Sequence, residues 1–180
     1  LTVARTQGFD VKDAAEGLAN VKGVAGRFEI VHKKPMVIVD YAHTPDGLKN
    51  VLKAGREITP EGANLICLFG CGGDRDATKR PKMAAIAEEL SDKVVVTSDN
   101  PRSENPDQII ADIMAGFKSV DTDKVVVEPD RGSAIALLKN ISNENDVVII
   151  AGKGHEDYQI LKDKTIHFDD REEAAKVFGK

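Results

Sequence analysis

The chain has 180 residues and a mass of 19.4 kDa, enough for one full domain with a hydrophobic core. Hydrophobic residues make up 41% of it and charged residues 31%, which is typical of a soluble globular protein. The formal net charge of -5, with both signs dispersed, argues against nucleic acid and membrane as partners. The sequence has no run of 18 apolar residues and no signal peptide. It begins without methionine, and we therefore expect it to be a piece of a longer protein.

The N-terminal part of the chain predicts one helix and one hairpin. The helix spans about Val11 to Leu18 within the first 22 residues, before the weak break at Lys22-Gly23. Further on, Arg27 to His32 is expected to pair with the apolar run Met36 to Val39 through a turn at Lys33-Lys34.

Short apolar runs that are rich in β-branched residues recur along the chain. They are continuous rather than alternating, as in parallel strands that are buried on both faces. These runs are Met36 to Val39, Leu65 to Phe69, Val94 to Val96, Val125 to Val127, and Val147 to Ala151. We therefore predict a mostly parallel central sheet.

Helical segments alternate with these strands. They begin near Thr44-Pro45, Lys79, Asn105-Pro106, Asp130 and Asp169-Asp170. The run from Asn105 to Gln108 resembles a capping box with proline in the first turn. Ile160 to Phe168, with Lys162-Asp163-Lys164 at its centre, predicts a second hairpin. The alternation predicts a Rossmann-like, doubly wound α/β fold with right-handed crossovers, helices on both faces and edge hairpins.

Polar loops follow four of the five predicted parallel strands. They are Asp40 to His43, Gly70 to Asp76, Ser98 to Arg102, and Gly152 to Glu156, whereas Glu128-Pro129-Asp130 is plainer. Because the carboxyl ends of parallel strands meet at one edge of a doubly wound sheet, the loops should lie together there. The sequence thus predicts a ligand-binding site at this edge.

Each loop leaves alternatives open. The glycines of Gly70 to Gly73 are compatible with a tight turn or with close approach to a ligand, but neither a Walker A loop nor the dinucleotide-binding fingerprint is present. Asp40 could cap a turn or accept hydrogen bonds from a ribose. His43 and His155 could act as general bases, or stack and form hydrogen bonds.

The charges of these loops suggest the kind of ligand. Arg102, after the rigid Asn100-Pro101 turn, could hold a carboxylate or phosphate, or could be a solvated arginine at a helix entry. Arg75 adds a second cation and Glu156 the opposite charge, so a zwitterion would fit all three.

The two cysteines give a further hint of the compartment. Cys67 lies in an apolar run and Cys71 in the glycine loop, which suits two reduced thiols in a cytoplasmic protein. A metal site built from both thiols and a distant histidine is the alternative.

Four motifs, in this order and spacing, resemble the C-terminal domain of the Mur ligase family. They are Asp40-Tyr-Ala-His-Thr-Pro-Asp46, Phe69-Gly-Cys-Gly-Gly-Asp-Arg-Asp76, Asp99-Asn-Pro-Arg102 and Gly152-Lys-Gly-His-Glu-Asp-Tyr158. Within the family they are most similar to the members that add meso-diaminopimelate, and the resemblance covers about Val21 to Phe178. The alternative within the family is a lysine-adding ligase. Relatives that add lysine lack the arginine of the third motif, which is present here as Arg102.

The resemblance implies an ATP-dependent ligase of peptidoglycan synthesis. ATP would phosphorylate the free γ-carboxylate of UDP-N-acetylmuramoyl-L-alanyl-D-glutamate, and the amine of meso-diaminopimelate would attack the acyl phosphate. It further implies that diaminopimelate binds to Arg75, Asn100, Arg102, Gly152 and Glu156. ATP would contact Arg27, Asp40 and His43, although Ala25 stands where the family often has proline.

The resemblance also implies that much of the machinery lies outside this chain. In the family the phosphate-binding loop, the Mg²⁺ ligands and the nucleotide-sugar site belong to other domains. We expect residues 1–22 to be the tail of the central ATPase domain and residues 23–180 the C-terminal domain, without catalytic or metal-binding residues of its own. The chain alone should then be inactive. A non-catalytic α/β ligand-binding module is the alternative from another class.

Overall fold

The computed structural model describes residues 2–20, 23–118 and 123–179. The strands are β1 (Glu29–Lys33), β2 (Met36–Asp40), β3 (Leu65–Phe69), β4 (Lys93–Val96), β5 (Val125–Val127), β6 (Val147–Ala151), β7 (Tyr158–Ile160) and β8 (Thr165–His167). The helices are α1 (Thr2–Thr6), α2 (Val11–Ala19), α3 (Pro45–Ile58), α4 (Lys79–Leu90), α5 (Pro106–Met114), α6 (Arg131–Ile141) and α7 (Asp170–Phe178). All predicted strands and helices are present, and within the described residues the short α1 is the one element that was not predicted.

The central sheet has six strands in the order β1-β2-β6-β3-β4-β5. Strand β1 is antiparallel to β2, and the other five strands are parallel to one another. Every residue of β3 and β6 is buried, as the continuous apolar runs predict. The mostly parallel α/β prediction is confirmed.

Helices cover both faces of this sheet, which confirms the doubly wound prediction. One face packs against α3, α4 and α5, where Leu52, Met83 and Ile113 are fully buried. The other face packs against α6 and α7, with Leu138 and Ala174 fully buried. Successive strand residues alternate between these two cores because side chains of a strand point to opposite faces.

Both predicted hairpins form, with shifted boundaries. The turn between β1 and β2 lies at Lys34-Pro35 rather than Lys33-Lys34, because Lys33 pairs with Met36. Strand β7 begins at Tyr158, two residues before the predicted start, and pairs with β8 in a separate two-stranded sheet. The polar side chain of Gln159 hides the strand pattern in the sequence, since it is buried and donates to the Asp99 carbonyl.

The helix starts show how local sequence fixes the elements. The Thr44 hydroxyl accepts from the Gly47 N–H at the start of α3, and Asn105 accepts from the Asp107 N–H at the start of α5. The capping box predicted at α5 is only half formed, because Gln108 donates to Asp112 instead of returning to the Asn105 backbone.

The N-terminal helices stand apart from both cores. Neither α1 nor α2 buries a residue, and Asp10 caps the start of α2. Val21 and Lys22, at the domain boundary predicted from the sequence, lie outside the described residues. Within the described part of the chain, the helices are too short or too polar to cross a membrane.

Candidate ligand-binding site

A cleft of about 590 Å³ lies at the carboxyl edge of the parallel sheet. It is lined by the loops that follow β2, β3, β4 and β6, so the four polar loops meet at one edge of the sheet, as the sequence predicts. Of the predicted site residues, those lining the cleft are His43, Arg75, Asn100, Arg102, Gly152 and Glu156. Arg27 and Asp40 lie outside this lining.

The glycine loop after β3 packs directly against the loop after β4. A Cβ atom on Gly70 would lie 2.3 Å from the Thr97 carbonyl oxygen, and one on Gly73 would lie 2.0 Å from that of Pro101. The Gly73 N–H also donates to the Asn100 carbonyl at 2.9 Å. The glycines therefore permit a tight approach of two backbones to each other, and this loop-packing role accounts for both of them.

Replacing Gly73 by alanine is expected to destabilise the chain by about 1–3 kcal/mol, because the new methyl group would meet backbone atoms of the neighbouring loop. Gly17→Ala in α2 is the control, since no heavy atom lies within 4 Å of the added Cβ there, and it should be neutral or slightly stabilising. Urea unfolding of both variants makes the comparison. Equal stability of the two variants would contradict the loop-packing role.

Arg102 is half-buried and held in an uncommon backbone conformation. Its φ of 53° is in the left-handed region, which residues with a Cβ seldom adopt. Its N–H donates to the Ile160 carbonyl at 3.1 Å, and Nη1 donates to the Gly73 carbonyl at 2.8 Å. These bonds aim the guanidinium along the glycine loop and leave Nη2 free of protein partners among the described residues, so it can bind an anion in the cleft.

A network of charged side chains supports these two loops from outside the cleft. The buried Arg80 of α4 forms ion pairs with Glu104 and Asp112, each at 2.8 Å. Glu104 in turn accepts from the Asp74 N–H. The carboxylate of Asp74 accepts from the Ser103 hydroxyl and N–H, which lowers the pKa of Asp74. The arginine loop is thus tied to the glycine loop on both sides of Arg102.

Asn100 lies at the back of the cleft and is only 3% exposed. Its Nδ2 donates to Glu156 Oε2 at 3.1 Å, and its Oδ1 accepts from the Ile160 N–H at 2.9 Å. Protein groups therefore occupy most of its hydrogen-bonding capacity. Glu156 is more accessible, with 18% of its side chain exposed, and it presents a carboxylate to the cleft.

Gly152 brings backbone to the floor of the cleft. Its φ of 123° is available to glycine and disfavoured for other residues. A Cβ atom here would lie 2.7 Å from Asp99 Oδ2, so a side chain would displace that carboxylate. Arg75 lies on the opposite rim, exposed, and its Nη1 donates to the Asp74 carbonyl at 2.9 Å.

The rings of Tyr41 and His43, which line the cleft, form a cluster with the His155 ring and the Arg27 guanidinium. The Arg27 guanidinium is 4.7 Å from the centre of the Tyr41 ring, which is 4.5 Å from the His43 ring and 5.2 Å from that of His155. Burial raises the pKa of Tyr41, and the nearby charge of Glu156 raises it further. The arrangement offers flat ring surfaces and the positive charge of the exposed Arg27.

Asp40 acts on the backbone around it. Its Oδ1 accepts from the Ala42 N–H at 2.8 Å, and its Oδ2 accepts from the Phe28 N–H at 2.7 Å. Phe28 has a φ of 46°, so the carboxylate holds a strained residue next to Arg27. Of the two interpretations of Asp40, the turn cap is present, and it positions the Arg27 turn.

Sequence reasoning missed several residues of the cleft. They are Tyr41, Lys79, Lys82, Asp99 and Tyr158, together with the buried Lys153 beneath it. Most of these residues lie within the four motifs that resemble the Mur ligase family, so membership of a motif could have identified them. The two lysines of α4 are three residues apart on its first turn, and helical spacing could have placed both toward the cleft.

The cysteines are buried free thiols, as predicted. Burial raises the pKa of both Cys67 and Cys71 to about 12, so neither is a reactive thiolate at neutral pH. Within residues 2–20, 23–118 and 123–179, no three histidine, cysteine or acidic side chains are grouped to hold a metal ion. The alternative of a cysteine–histidine metal site therefore has no support.

The fold and the cleft together define a doubly wound α/β domain with a candidate ligand-binding cleft, which is built from the loops at the carboxyl edge of its sheet. The family model of the Mur ligase, glutamate ligase domain, matches residues 26–154, and the chain belongs to this family.

Named relatives agree with this assignment. The chain is 52% identical over 96% of its length to a UDP-N-acetylmuramoyl-L-alanyl-D-glutamate–2,6-diaminopimelate ligase of Prochlorococcus marinus (strain NATL1A), and 52% identical over 92% to that of Clostridium botulinum. It covers 35% and 34% of those proteins, so it spans about a third of their length.

Two solved structures resemble this chain, one of them a protein with the same name as these relatives. A structure of a UDP-N-acetylmuramoyl-L-alanyl-D-glutamate–2,6-diaminopimelate ligase matches 98% of this chain at 37% identity, with a TM-score of 0.80, and the match covers 36% of that protein. Escherichia coli FolC in complex with ADP matches 86% of the chain, and 35% of its own length is covered, at 20% identity and a TM-score of 0.60. The second match shows a shared fold.

Proposed function

We propose that the chain is the C-terminal, amino-acid-binding domain of an ATP-dependent ligase that joins meso-diaminopimelate to UDP-N-acetylmuramoyl-L-alanyl-D-glutamate in peptidoglycan synthesis. The observation that carries the proposal is the cleft itself. Arg75 and Arg102 on two loops face Glu156 on a third, so anionic and cationic groups of one ligand can be bound together. The names of the relatives at about half identity support this ligand.

Diaminopimelate is lysine with a second carboxylate at its far end, and this group matches Arg102. The guanidinium donates to that carboxylate, while Glu156 accepts from an ammonium group and the Gly152 backbone lets the ligand approach closely. Lysine would leave the arginine without a partner in a partly buried site, which disfavours the lysine-adding alternative. Asn100 contributes chiefly by holding Glu156.

ATP is proposed to bind beside the ring cluster, where it would activate the glutamate γ-carboxylate as an acyl phosphate. The exposed Arg27 offers its charge, and Tyr41 and His43 offer ring faces. Asp40 contributes by holding the turn that carries Arg27. Mg²⁺ is proposed to be held by another domain of the longer protein, and residues 1–22 would lead from that domain to this one.

The setting of the reaction follows from its substrates. The proposed amino-acid substrate is a small zwitterion and the proposed UDP-linked substrate is a water-soluble anion, so we propose a cytoplasmic enzyme with neither a nucleic acid nor a membrane as partner. Closing this domain onto the ATPase domain would assemble the complete site, because the phosphate-binding loop lies outside this chain.

The proposal is tested with the full-length protein, ATP, Mg²⁺ and the UDP-linked dipeptide. Release of ADP should depend on meso-diaminopimelate and be far slower with lysine, and the 180-residue chain alone should release none. Equal turnover with lysine would overturn the substrate assignment. Tight calorimetric binding of diaminopimelate without ATP and the dipeptide, and without any turnover, would instead identify a non-catalytic module.

A further inference from the structure

Lys153 is a wholly buried lysine beneath the cleft, between two carboxylates. Its side chain has 0% exposure, which is rare for lysine. Its Nζ lies 3.9 Å from Asp99 Oδ1 and 3.7 Å from Glu156 Oε2. It also donates a hydrogen bond to Asn100 Oδ1 at 3.1 Å. The lysine therefore contacts Asp99, Asn100 and Glu156, while the Tyr41 hydroxyl donates to the other carboxylate oxygen of Glu156 at 3.5 Å.

These contacts fix the orientation of the Asn100 amide. Lys153 Nζ and the Ile160 N–H are both donors, so the atom of the amide that faces them must be the oxygen. The amide nitrogen is thereby directed to Glu156 Oε2, to which it donates at 3.1 Å. The Lys153 ammonium group thus helps to position the Glu156 carboxylate through the Asn100 amide.

Among the described residues, the charged side chains at and beneath the cleft floor comprise two cations and three carboxylates, so their sum is one negative charge. Arg131 and Asp170 form a buried pair that is neutral as a whole. Lys153 then faces two carboxylates, Asp99 and Glu156, of which the glutamate is the more exposed to the cleft. Without the lysine, the two carboxylates would share a partly buried site with no cation between them, and their mutual repulsion would disfavour the ionisation of both at once.

We propose that Lys153 is a positioning residue that keeps Glu156 ionised and, through Asn100, directs its carboxylate toward an ammonium group of the amino-acid substrate. The inference rests on the proposed function, whose assignment of Glu156 it deepens. Lys153 does not touch the substrate and acts through the two side chains next to it.

Burial and the neighbouring charges have opposing effects on the pKa of Lys153. Burial lowers the pKa of its ammonium group, Asp99 opposes this effect, and Arg131 adds to it. Asp170 and Glu156 also favour the charged form, and the Tyr158 ring lies 5.6 Å from Nζ. The pKa of Lys153 is lowered on balance, and the neighbouring carboxylates oppose this effect by favouring the charged lysine.

The test is the pH dependence of the full-length enzyme with meso-diaminopimelate as the varied substrate. In Lys153→Met, kcat/KM should fall about tenfold at neutral pH, mainly through KM, and the acidic limb should move upward by about one pH unit. The double variant Asp99→Asn/Lys153→Met removes one charge of each sign. It should return the acidic limb toward the wild-type position, because the second carboxylate that Lys153 faces together with Glu156 is then absent.

If the methionine variant does not fold, Lys153→Gln replaces it in the test. Glutamine keeps a donor for Asn100 without the charge, so the acidic limb of the pH profile should move by the same amount. An acidic limb that stays at the wild-type pH in the folded single variants would overturn the inference, as would a double variant that shifts as far as the single one. Failure of the proposed function is distinct, since the wild-type enzyme itself would then show no turnover that depends on diaminopimelate.

Discussion

On the proposed function, replacing Arg102 by methionine in the full-length protein is expected to lower kcat/KM for meso-diaminopimelate about 10- to 150-fold, the equivalent of about 1.5–3 kcal/mol. A charge-assisted hydrogen bond to a ligand carboxylate contributes this much when the site is partly shielded from water. Methionine resembles the unbranched, apolar part of the arginine side chain and has no donors, so the distal carboxylate of the ligand would lose its partner.

The geometry supports a large effect at this position. The backbone of Arg102 is anchored to the Ile160 carbonyl, and Nη1 is held by the Gly73 carbonyl, so the guanidinium is largely ordered before the ligand binds. Little side-chain freedom remains to be lost on binding. Arg75 is exposed on the rim, so Arg75→Met should have a smaller effect than the change at Arg102.

Two controls separate the guanidinium from the shape of its loop. Ser103→Ala removes the hydroxyl that donates to Asp74 at 2.7 Å and leaves Arg102 in place, so it should cost less than threefold. Turnover with lysine in place of diaminopimelate should be unchanged or faster in Arg102→Met, because the unpaired charge is gone. A full rate with diaminopimelate in Arg102→Met, or an equal loss in Ser103→Ala, would contradict the assignment.

The sequence predicted the fold well because its strands are buried on both faces. Continuous β-branched runs such as Val94 to Val96 identify strands without knowledge of their neighbours. The position of β6 between β2 and β3 was not predicted, since strand order depends on which crossover returns along the sheet. Tyr158–Ile160 was misplaced because its buried middle residue, Gln159, is polar and bonds to a backbone group distant in sequence.

The candidate site was predicted in its location but not in its internal contacts. Loops that follow parallel strands share an edge, and this rule alone brought Arg75, Arg102 and Glu156 together. The burial of Lys153 and the orientation of the Asn100 amide depend on partners about 50 residues away in the chain. Patterns within one loop contain no information on such pairs.

The second large effect is expected for the buried ion pair that joins the starts of α6 and α7. Arg131→Met should lower the free energy of unfolding by about 3–5 kcal/mol, because it leaves the fully buried Asp170 carboxylate without its partner. Arg131 Nε and Nη2 each donate to this carboxylate at 2.7 Å. Urea unfolding of the chain measures the loss, with the slope checked for an unchanged m-value.

The same arginine connects stability to the cleft. Its Nη1 donates to the Ser98 carbonyl and its Nη2 to the Ala151 carbonyl, at the ends of the strands that carry the arginine loop and Gly152. Arg171→Met is the matched control, since this neighbouring arginine is 27% exposed and pairs with Asp169, and it should cost less than about 1 kcal/mol. The double variant Arg131→Met/Asp170→Leu should recover much of the stability, because no buried charge is left unpaired. A cost for Arg131→Met no larger than that of Arg171→Met would show that the pair does not stabilise the sheet edge, and the order of the site would then depend on the loops alone.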